Sequence, residues 1–215
     1  MSALTALTFA IAVLTPPRSG PFCRLSACVG SPYTDIAAFF PRDYGWMYPA
    51  TLLALVVVAC MACVHDYAAA AQKRFGLLAL VFAAMAAAVL ATDYGIQLMV
   101  IQPSLRAGEL AGLGLLSQYN PHGVFIALES VGYLLLSVAF GFAAPVFAGG
   151  AGLERALRWV FAAGCALALI GMIGFSLGYG QAVEYRFEVY VISIDWLALI
   201  GAGALLSAIF RRGRR

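Results

Sequence analysis

Charged side chains are scarce in this sequence: they make up 11% of its 215 residues, while 63% of the residues are hydrophobic. A typical water-soluble domain carries about 25% charged residues. This chain therefore has too few polar side chains to cover a surface in water, and the lipid bilayer is its expected solvent. No acidic or basic tract points to nucleic acid as a partner.

The motifs of many enzyme classes are absent as well. The sequence has no Gly-rich phosphate loop, no H-E-x-x-H and no G-x-S-x-G. Its only lysine, Lys73, lies in a predicted loop, which excludes a retinal Schiff base. Its two histidines, His65 and His122, are predicted at opposite membrane faces, so neither a bis-histidine haem nor another metal site is expected. Cys60-x-x-Cys63 lies inside a predicted helix, where packing is its expected role. We expect no cofactor.

Long apolar runs are what the sequence does contain. A membrane span needs about 20 mostly apolar residues. The runs predict a single all-α integral membrane domain, a bundle of about six transmembrane helices at 2–15, 48–65, 75–102, 121–147, 153–179 and 187–210. An extracytoplasmic loop follows the first helix, and Ser104–Ser117 fits a helix lying in the membrane interface.

The first apolar run, 2–15, is short for a span, and a partial crossing stays open. It has neither a basic start nor an Ala-x-Ala site, so we do not expect a cleaved signal peptide.

The distribution of lysine and arginine predicts the orientation, because cytoplasmic loops are enriched in these residues. With both termini inside, eight basic residues fall on the inner side and five on the outer side. The inner ones are Lys73, Arg74, Arg155, Arg158, Arg211, Arg212, Arg214 and Arg215, and the outer ones are Arg18, Arg24, Arg42, Arg106 and Arg186. A bacterial cytoplasmic (inner) membrane location with a cytoplasmic C-terminus is therefore expected.

Three carboxylates lie deep inside predicted spans, away from the span ends: Asp93, Glu129 and Asp195. At 1.5 Å per residue they lie roughly 12 to 15 Å from the outer ends of their helices. Ionisable groups at such depth are costly and normally face a bundle interior or a wet cavity. The predicted site for a ligand or protons comprises Asp93, Gln97, His122, Glu129, Tyr133, Glu188 and Asp195, with Arg42, Arg106 and Arg186 as counter-charges at its mouth. The alternative is that these groups only hold the helices together.

Several strings in the sequence are unusual. They include Phe40–Pro49 (FPRDYGWMYP), Asp93–Gln97 (DYGIQ) and Gln118–Glu129 (QYNPHGVFIALE), together with Thr15–Cys23, Val100–Ser104 and Glu184–Val189. They resemble a family of small bacterial polytopic membrane proteins of uncharacterised function. The resemblance covers most of the chain after residue 15. It implies a polytopic fold and carries no activity with it.

Three functions fit these observations. The first is an outward-facing acidic cavity that binds or transports a small polar or cationic ligand, with proton coupling left open. The second is an intramembrane acid/base enzyme acting on a lipid or isoprenoid-like substrate. The third is a structural or accessory membrane subunit. Membrane lipids are expected partners in each case, and whether the chain forms a homo-oligomer is left open.

Cys23 and Cys28 lie in the loop that is placed outside the membrane, where disulfides persist. We predict that they form a disulfide. Mass spectrometry of the purified protein under non-reducing conditions should find the two residues linked, and two free thiols would contradict the prediction.

Overall fold

A computed structural model describes residues 1–24 and 28–212 of the chain. The described residues are mostly helical and contain no β-strand. The helices are α1 (Ser2–Leu14), α2 (Met47–Tyr67), α3 (Lys73–Ile96), α4 (Gln102–Ala107), α5 (Leu113–Leu116), α6 (Val124–Ala143), α7 (Leu153–Tyr179) and α8 (Tyr185–Arg212). Arg214 and Arg215, which contribute to the predicted orientation, lie outside the described residues.

Among residues 1–24 and 28–212, five helical segments are long and apolar enough to cross a membrane. They are Arg42–Tyr67, Ala70–Ala107, Val124–Phe147, Leu153–Ala182 and Tyr185–Arg212. Each overlaps one of the expected spans. The first helix differs: its 13 residues extend about 20 Å, which is shorter than the roughly 30 Å hydrocarbon core. The structure therefore has five helices of spanning length in its described residues, whereas about six spans were expected from the sequence.

The third span is longer than predicted. The sequence suggests a stop at Pro103, but α3 continues through a π-helical turn at Gln97–Ile101 into α4. In that turn the backbone N–H of Gln102 bonds to Gln97 O, five residues back. Proline lacks the N–H that an α-helix interior needs, and a π turn is one way a helix accommodates such an interruption.

The expected interfacial helix over Ser104–Ser117 does not form as one element. The segment is divided into α4, a turn and the four-residue α5. Gly108 and Gly112 have positive φ angles of 75° and 79°, and each ends or precedes a short helix. Glycine adopts this conformation at little cost, so the two glycines break the run that composition alone suggested was continuous.

The helices pack in a ring. Helix α3 contacts both α2 and α6, α6 also contacts α7 and α8, α7 contacts α8, and α1 lies against α8 and α2. Buried small residues on α3 (Ala79, Ala83, Ala86, Ala87) let its neighbours approach closely. Ser2 Oγ donates a hydrogen bond to Ile200 O at 2.8 Å, which fixes the start of α1 to α8.

Loops meet at one end of this bundle, which we call the loop end. It consists of residues 15–24 and 28–46, the 107–123 connection and residues 180–187. Within it, the Sγ atoms of Cys23 and Cys28 are bonded, with their Cα atoms 6.2 Å apart. The candidate site described below lies at this end.

The contact between Gly76 and His65 shows how closely α2 and α3 pack. A methyl group at Gly76 would come 2.9 Å from His65 Cα, a backbone atom of α2 that cannot move without shifting the helix. We predict that Gly76→Ala lowers the free energy of unfolding by about 1–3 kcal/mol, the usual cost of overpacking. Thermal unfolding in detergent would measure it.

Gly95→Ala is the matched control on α3, because a methyl group there meets nothing within 4 Å. It should leave stability unchanged or raise it by up to about 1 kcal/mol, the helix preference of alanine over glycine. Equal melting temperatures for the two variants would show that the helices are not in such close contact.

Candidate functional site

A cavity of about 420 Å³ lies at the loop end of the bundle. The end of α1, residues 15–22 and 43–46, the Gln118–Tyr119 turn and the starts of α6 and α8 form its walls. Most of the lining is apolar or aromatic, including Phe9, Trp46, Phe125, Ile192 and Trp196. The ionisable side chains of the lining are Arg18, Asp43, Tyr119, Tyr185 and Glu188.

Asp43 is the polar centre of the loop side of the cavity and is only 1% exposed. Arg18 donates hydrogen bonds to it from Nε and Nη2, Arg42 donates from Nε at 3.0 Å, and Tyr119 donates from its hydroxyl at 3.2 Å. The Arg18 guanidinium also lies 3.8 Å from the centroid of the Phe39 ring. This part of the cavity wall therefore contains a charge pair rather than a single charge.

The carboxylate of Asp43 shifts the pKa values of two groups that bond to it, Arg18 and Tyr119. The hydrogen bond from Arg18 to Asp43 raises the pKa of the guanidinium. Burial raises the pKa of the Tyr119 phenol well above its ordinary value, and the nearby Asp43 charge adds to the shift. Both groups consequently keep their protons at every physiological pH and remain hydrogen-bond donors to Asp43.

Glu188 is the acid that faces the cavity from α8. It lies three residues after the start of α8 and is 7% exposed. Its carboxyl group lies close enough to that of Glu129 on α6, which is fully buried, for the two groups to interact. The two acids thus form a pair of which only Glu188 lines the cavity.

A chain of hydrogen bonds ends on the buried member of this pair. The Tyr94 hydroxyl donates to Glu129 Oε1 at 2.7 Å and lies 2.9 Å from the Tyr133 hydroxyl. Trp196 Nε1–H donates to the Tyr133 hydroxyl at 3.1 Å. Because Tyr94 uses its one hydrogen on Glu129, Tyr133 must donate to Tyr94. Every donor in the chain therefore points towards Glu129.

Asp93 is the third acid of this region. It is 1% exposed, and neither of its carboxyl oxygens has a hydrogen-bond partner among the described residues. It lies close enough to act electrostatically on the other two acids. We call Asp93, Glu129 and Glu188 the acid cluster.

Asp195, expected at the same depth as Asp93 and Glu129, lies apart from the acid cluster. It accepts a hydrogen bond from Ser137 Oγ at 2.7 Å. It follows Glu188 by seven residues, about 10 Å along α8. Glu188 takes the place that was expected for Asp195, because α8 begins at Tyr185 and its first turn reaches Glu129.

Gln97 and His122 serve the loop connection instead of the cavity. Gln97 Nε2 donates to Leu116 O at 2.6 Å, and the backbone N–H of Gln118 donates to Gln97 Oε1 at 3.3 Å. Both ends of this amide are thus used to hold the turn. The His122 side chain is exposed, and its backbone N–H bonds to Asn120 Oδ1 at 3.0 Å. Helix α6 begins at Val124, after the histidine.

The arginines expected at the mouth do not line the cavity. Arg42 is exposed beyond its contact with Asp43, and Arg106 lies 4.2 Å from the centroid of the Phe40 ring. Arg186 donates to Ala182 O at 2.6 Å and to Glu184 Oε2 at 3.3 Å. The arginine that does line the cavity is Arg18.

Sequence reasoning missed the Arg18–Asp43 pair and the aromatic groups around the acid cluster. Trp46 lies between Tyr94 and Trp196, with ring centroids 5.3 and 6.3 Å away. Tyr94 directly follows Asp93, so its position beside a carboxylate inside a span was a usable signal. Arg18 and Asp43 stand 25 residues apart in an irregular loop, where no periodicity indicates a contact.

No protein-family model, no curated protein and no solved structure matches this chain. The resemblance of its sequence strings to a family of membrane proteins stays a prediction.

Removal of Arg18 would leave Asp43 buried with its charge only partly compensated. We predict that Arg18→Met lowers the free energy of unfolding by about 3 kcal/mol, since removing one partner of a buried ion pair leaves the other charge uncompensated in an environment of low dielectric constant. Unfolding in detergent, followed by circular dichroism, would measure the loss.

Arg42→Met is the matched control, because Arg42 also bonds Asp43 but its side chain is 70% exposed. Exposed ion pairs contribute about 1 kcal/mol or less. A loss at Arg42 as large as that at Arg18 would contradict the assignment of Arg18 as the principal partner of Asp43.

Proposed function

We propose that this chain is a multi-pass membrane protein that binds an amphiphilic cation in the loop-end cavity. The observation that carries the proposal is the charge of the cavity wall. Arg18 and Asp43 compensate each other, so Glu188 is the one acid of the lining that no cation accompanies among the described residues. The ligand's positive group would lie beside Glu188.

The remaining wall supports the same ligand class. A volume of about 420 Å³ falls within the roughly 300–1,000 Å³ of small-molecule sites. Trp46, Phe125 and Trp196 present aromatic rings to the cavity, and aromatic faces attract cations. The mainly apolar lining favours an apolar body over a fully polar solute, which narrows the ligand class expected from the sequence.

The orientation follows from the basic residues. We place the loop end on the outer side of a bacterial inner membrane and the C-terminus in the cytoplasm, because eight basic residues then lie inside against five outside. The ligand would enter from the outer side or from the outer leaflet. Uptake into liposomes would distinguish transport from binding alone.

A second candidate function is an intramembrane acid/base reaction on a lipid-like substrate. It is favoured by one observation: a pair of carboxyl groups, Glu129 and Glu188, adjoins an apolar cavity. Two interacting carboxyls can divide the roles of acid and base. Native mass spectrometry of the purified protein tests this alternative, since a co-purifying neutral lipid would favour it and a second polypeptide would favour an accessory role.

Decyltrimethylammonium and decyl sulfate test the proposal, because they share a tail and differ in the sign of the head group. With the protein in zwitterionic nanodiscs and empty nanodiscs as blank, calorimetry should show saturable binding of the cation and none of the anion. Glu188→Gln should weaken cation binding at least about tenfold, equivalent to 1.4 kcal/mol.

Glu109→Gln is the control, since Glu109 is an exposed acid at the same end of the bundle and does not line the cavity. Its affinity for decyltrimethylammonium should equal that of the wild type. Equal binding of decyl sulfate, or an unchanged affinity in Glu188→Gln, would refute the proposal.

A further inference from the structure

The wall of the loop-end cavity between α1 and α8 contains residues that also reach the outer surface of the bundle. Val13 of α1 and Val189 of α8 both line the cavity, yet Val13 is 67% exposed and Val189 is 44% exposed. Deeper along the same two helices, the rings of Phe9 and Trp196 are in contact, with centroids 5.7 Å apart. The wall is therefore closed at Phe9 and open at Val13 and Val189. We call this gap, together with the adjacent Ser193, the side opening.

One row of side chains on α8 begins in the side opening and continues on the outer surface. Residues four apart on a helix lie on the same face, so Val189, Ser193 and Leu197 form a single row. Val189 and Ser193 line the cavity, whereas Leu197 does not and is 59% exposed. A hydrocarbon chain that lies along this row would pass from the cavity to the surface of the bundle without leaving α8.

The two hydroxyl groups beside the side opening direct their hydrogens back to their own helices. Ser193 Oγ donates to Val189 O at 2.7 Å. Thr15 Oγ1, which also belongs to the cavity lining, donates to Ile11 O at 3.0 Å. A hydroxyl that bonds the carbonyl group four residues back has its donor satisfied without water. The side opening therefore suits a hydrocarbon chain better than a polar group.

The loop end of the cavity is closed in a different way, by hydrogen bonds between separate segments. The Tyr185 hydroxyl donates to Gln118 O at 3.0 Å and lies 2.8 Å from Ser19 Oγ. Because Tyr185 uses its one hydrogen on Gln118, Ser19 donates to Tyr185. The bond from Arg18 to Asp43 joins two further parts of the chain. Entry from the loop end would require several of these bonds to break.

Helices α1 and α8 are joined more loosely beside the side opening. Within residues 1–24 and 28–212, the hydrogen bond that connects these two helices is the one from Ser2 to Ile200, at the opposite end of α1. Beside Val13 and Val189 the two helices meet through apolar side chains alone. A small separation of the helices there would break no hydrogen bond.

The side opening lies at the depth of lipid chains. Val189 and Ser193 follow the first residue of α8 by four and eight positions, which is about 6 and 12 Å along the helix axis. One leaflet contributes about 15 Å to the hydrocarbon core. The side opening therefore faces the leaflet on the loop-end side of the bundle, which is the outer leaflet in the orientation proposed above.

We infer that the cavity receives its ligand sideways from this leaflet, through the side opening, and that the ligand is a lipid-like amphiphile whose hydrocarbon chain leaves the cavity between Val13 and Val189. Glu188 directly precedes Val189, so a ligand with its positive group beside Glu188 has its chain at the side opening. Without such a ligand, the chain of a bilayer lipid occupies the side opening. The cationic head group rests on the proposed function; the side opening does not.

Tryptophan fluorescence tests the side opening without any cation. In a Trp159→Phe background the remaining tryptophans are Trp46 and Trp196, and both line the cavity. Their fluorescence should be quenched in nanodiscs of phosphatidylcholine with brominated chains, relative to the same lipid without bromine, because bromine quenches an indole that it touches. Ser193→Phe fills the side opening and should remove most of this quenching.

Ser176→Phe is the matched control, because it makes the same substitution at an exposed serine of α7 that does not line the cavity. Its quenching should equal that of the Trp159→Phe protein. Should Ser193→Phe fail to fold, Val13→Phe blocks the side opening from α1 and should have the same effect. Equal quenching in the blocked and control variants, or no quenching in the Trp159→Phe protein, would overturn the inference.

Decyltrimethylammonium connects the side opening with the proposed function. Calorimetry in nanodiscs without bromine should show that Ser193→Phe weakens its binding at least about tenfold, whereas Ser176→Phe leaves the affinity unchanged. In brominated nanodiscs the probe should reduce the quenching of the Trp159→Phe protein, because its chain carries no bromine and displaces the lipid chain.

The two measurements separate the two proposals. If brominated lipid quenches through the side opening but decyltrimethylammonium does not bind, the side opening stands and the proposed function falls. If decyltrimethylammonium binds to Ser193→Phe as tightly as to the wild type and brominated lipid does not quench, the proposed function stands. The side opening then falls, because the ligand enters from the loop end.

Discussion

The hydrogen-bond chain from Trp196 through Tyr133 and Tyr94 to Glu129 is the interaction on which the arrangement of the bundle core depends. It joins α8, α6 and α3 with donor and acceptor in a single direction. In a membrane interior no water can replace a lost partner, so a polar group there must be satisfied within the protein. The chain therefore fixes the rotation of three helices at once, and it places Glu129 where the first turn of α8 brings Glu188.

Much of the helical architecture follows from hydropathy alone. The predicted spans overlap the five helices of spanning length, and most of their ends agree within a few residues. The errors lie where local backbone geometry overrides composition. Pro103 lies inside a continuous helix because a π turn precedes it, and Gly108 and Gly112 break a segment that was expected to be one interfacial helix. Neither effect is visible when hydropathy is averaged over a window of residues.

The site was harder to predict than the helices, because depth along a helix says nothing about lateral neighbours. Asp93, Glu129 and Asp195 have similar distances from their predicted helix ends, yet Asp195 bonds Ser137 away from Glu129. Which acids meet depends on where each helix begins and how it is rotated. The Arg18–Asp43 pair was not predictable either, since it arises from the path of an irregular loop. The presence of buried acids could be predicted; their pairing required the fold.

The polar groups of the bundle fall into two classes that differ in what they can do. Gln97, Tyr94 and Tyr133 have their hydrogen-bonding groups engaged by the protein, and such groups hold helices and turns in place. Asp93, Glu129, Glu188 and Asp195 each retain at least one oxygen without a partner among the described residues.

An open oxygen in low dielectric is costly, and the molecule can reduce that cost with a proton or with a bound cation. Of these four acids, Glu188 is the one that lines the cavity. At Glu188 a proton and a bound cation can replace each other, because a ligand can reach the oxygen that a proton would otherwise occupy. Function is therefore expected at the one point where an incompletely satisfied acid and an accessible volume coincide.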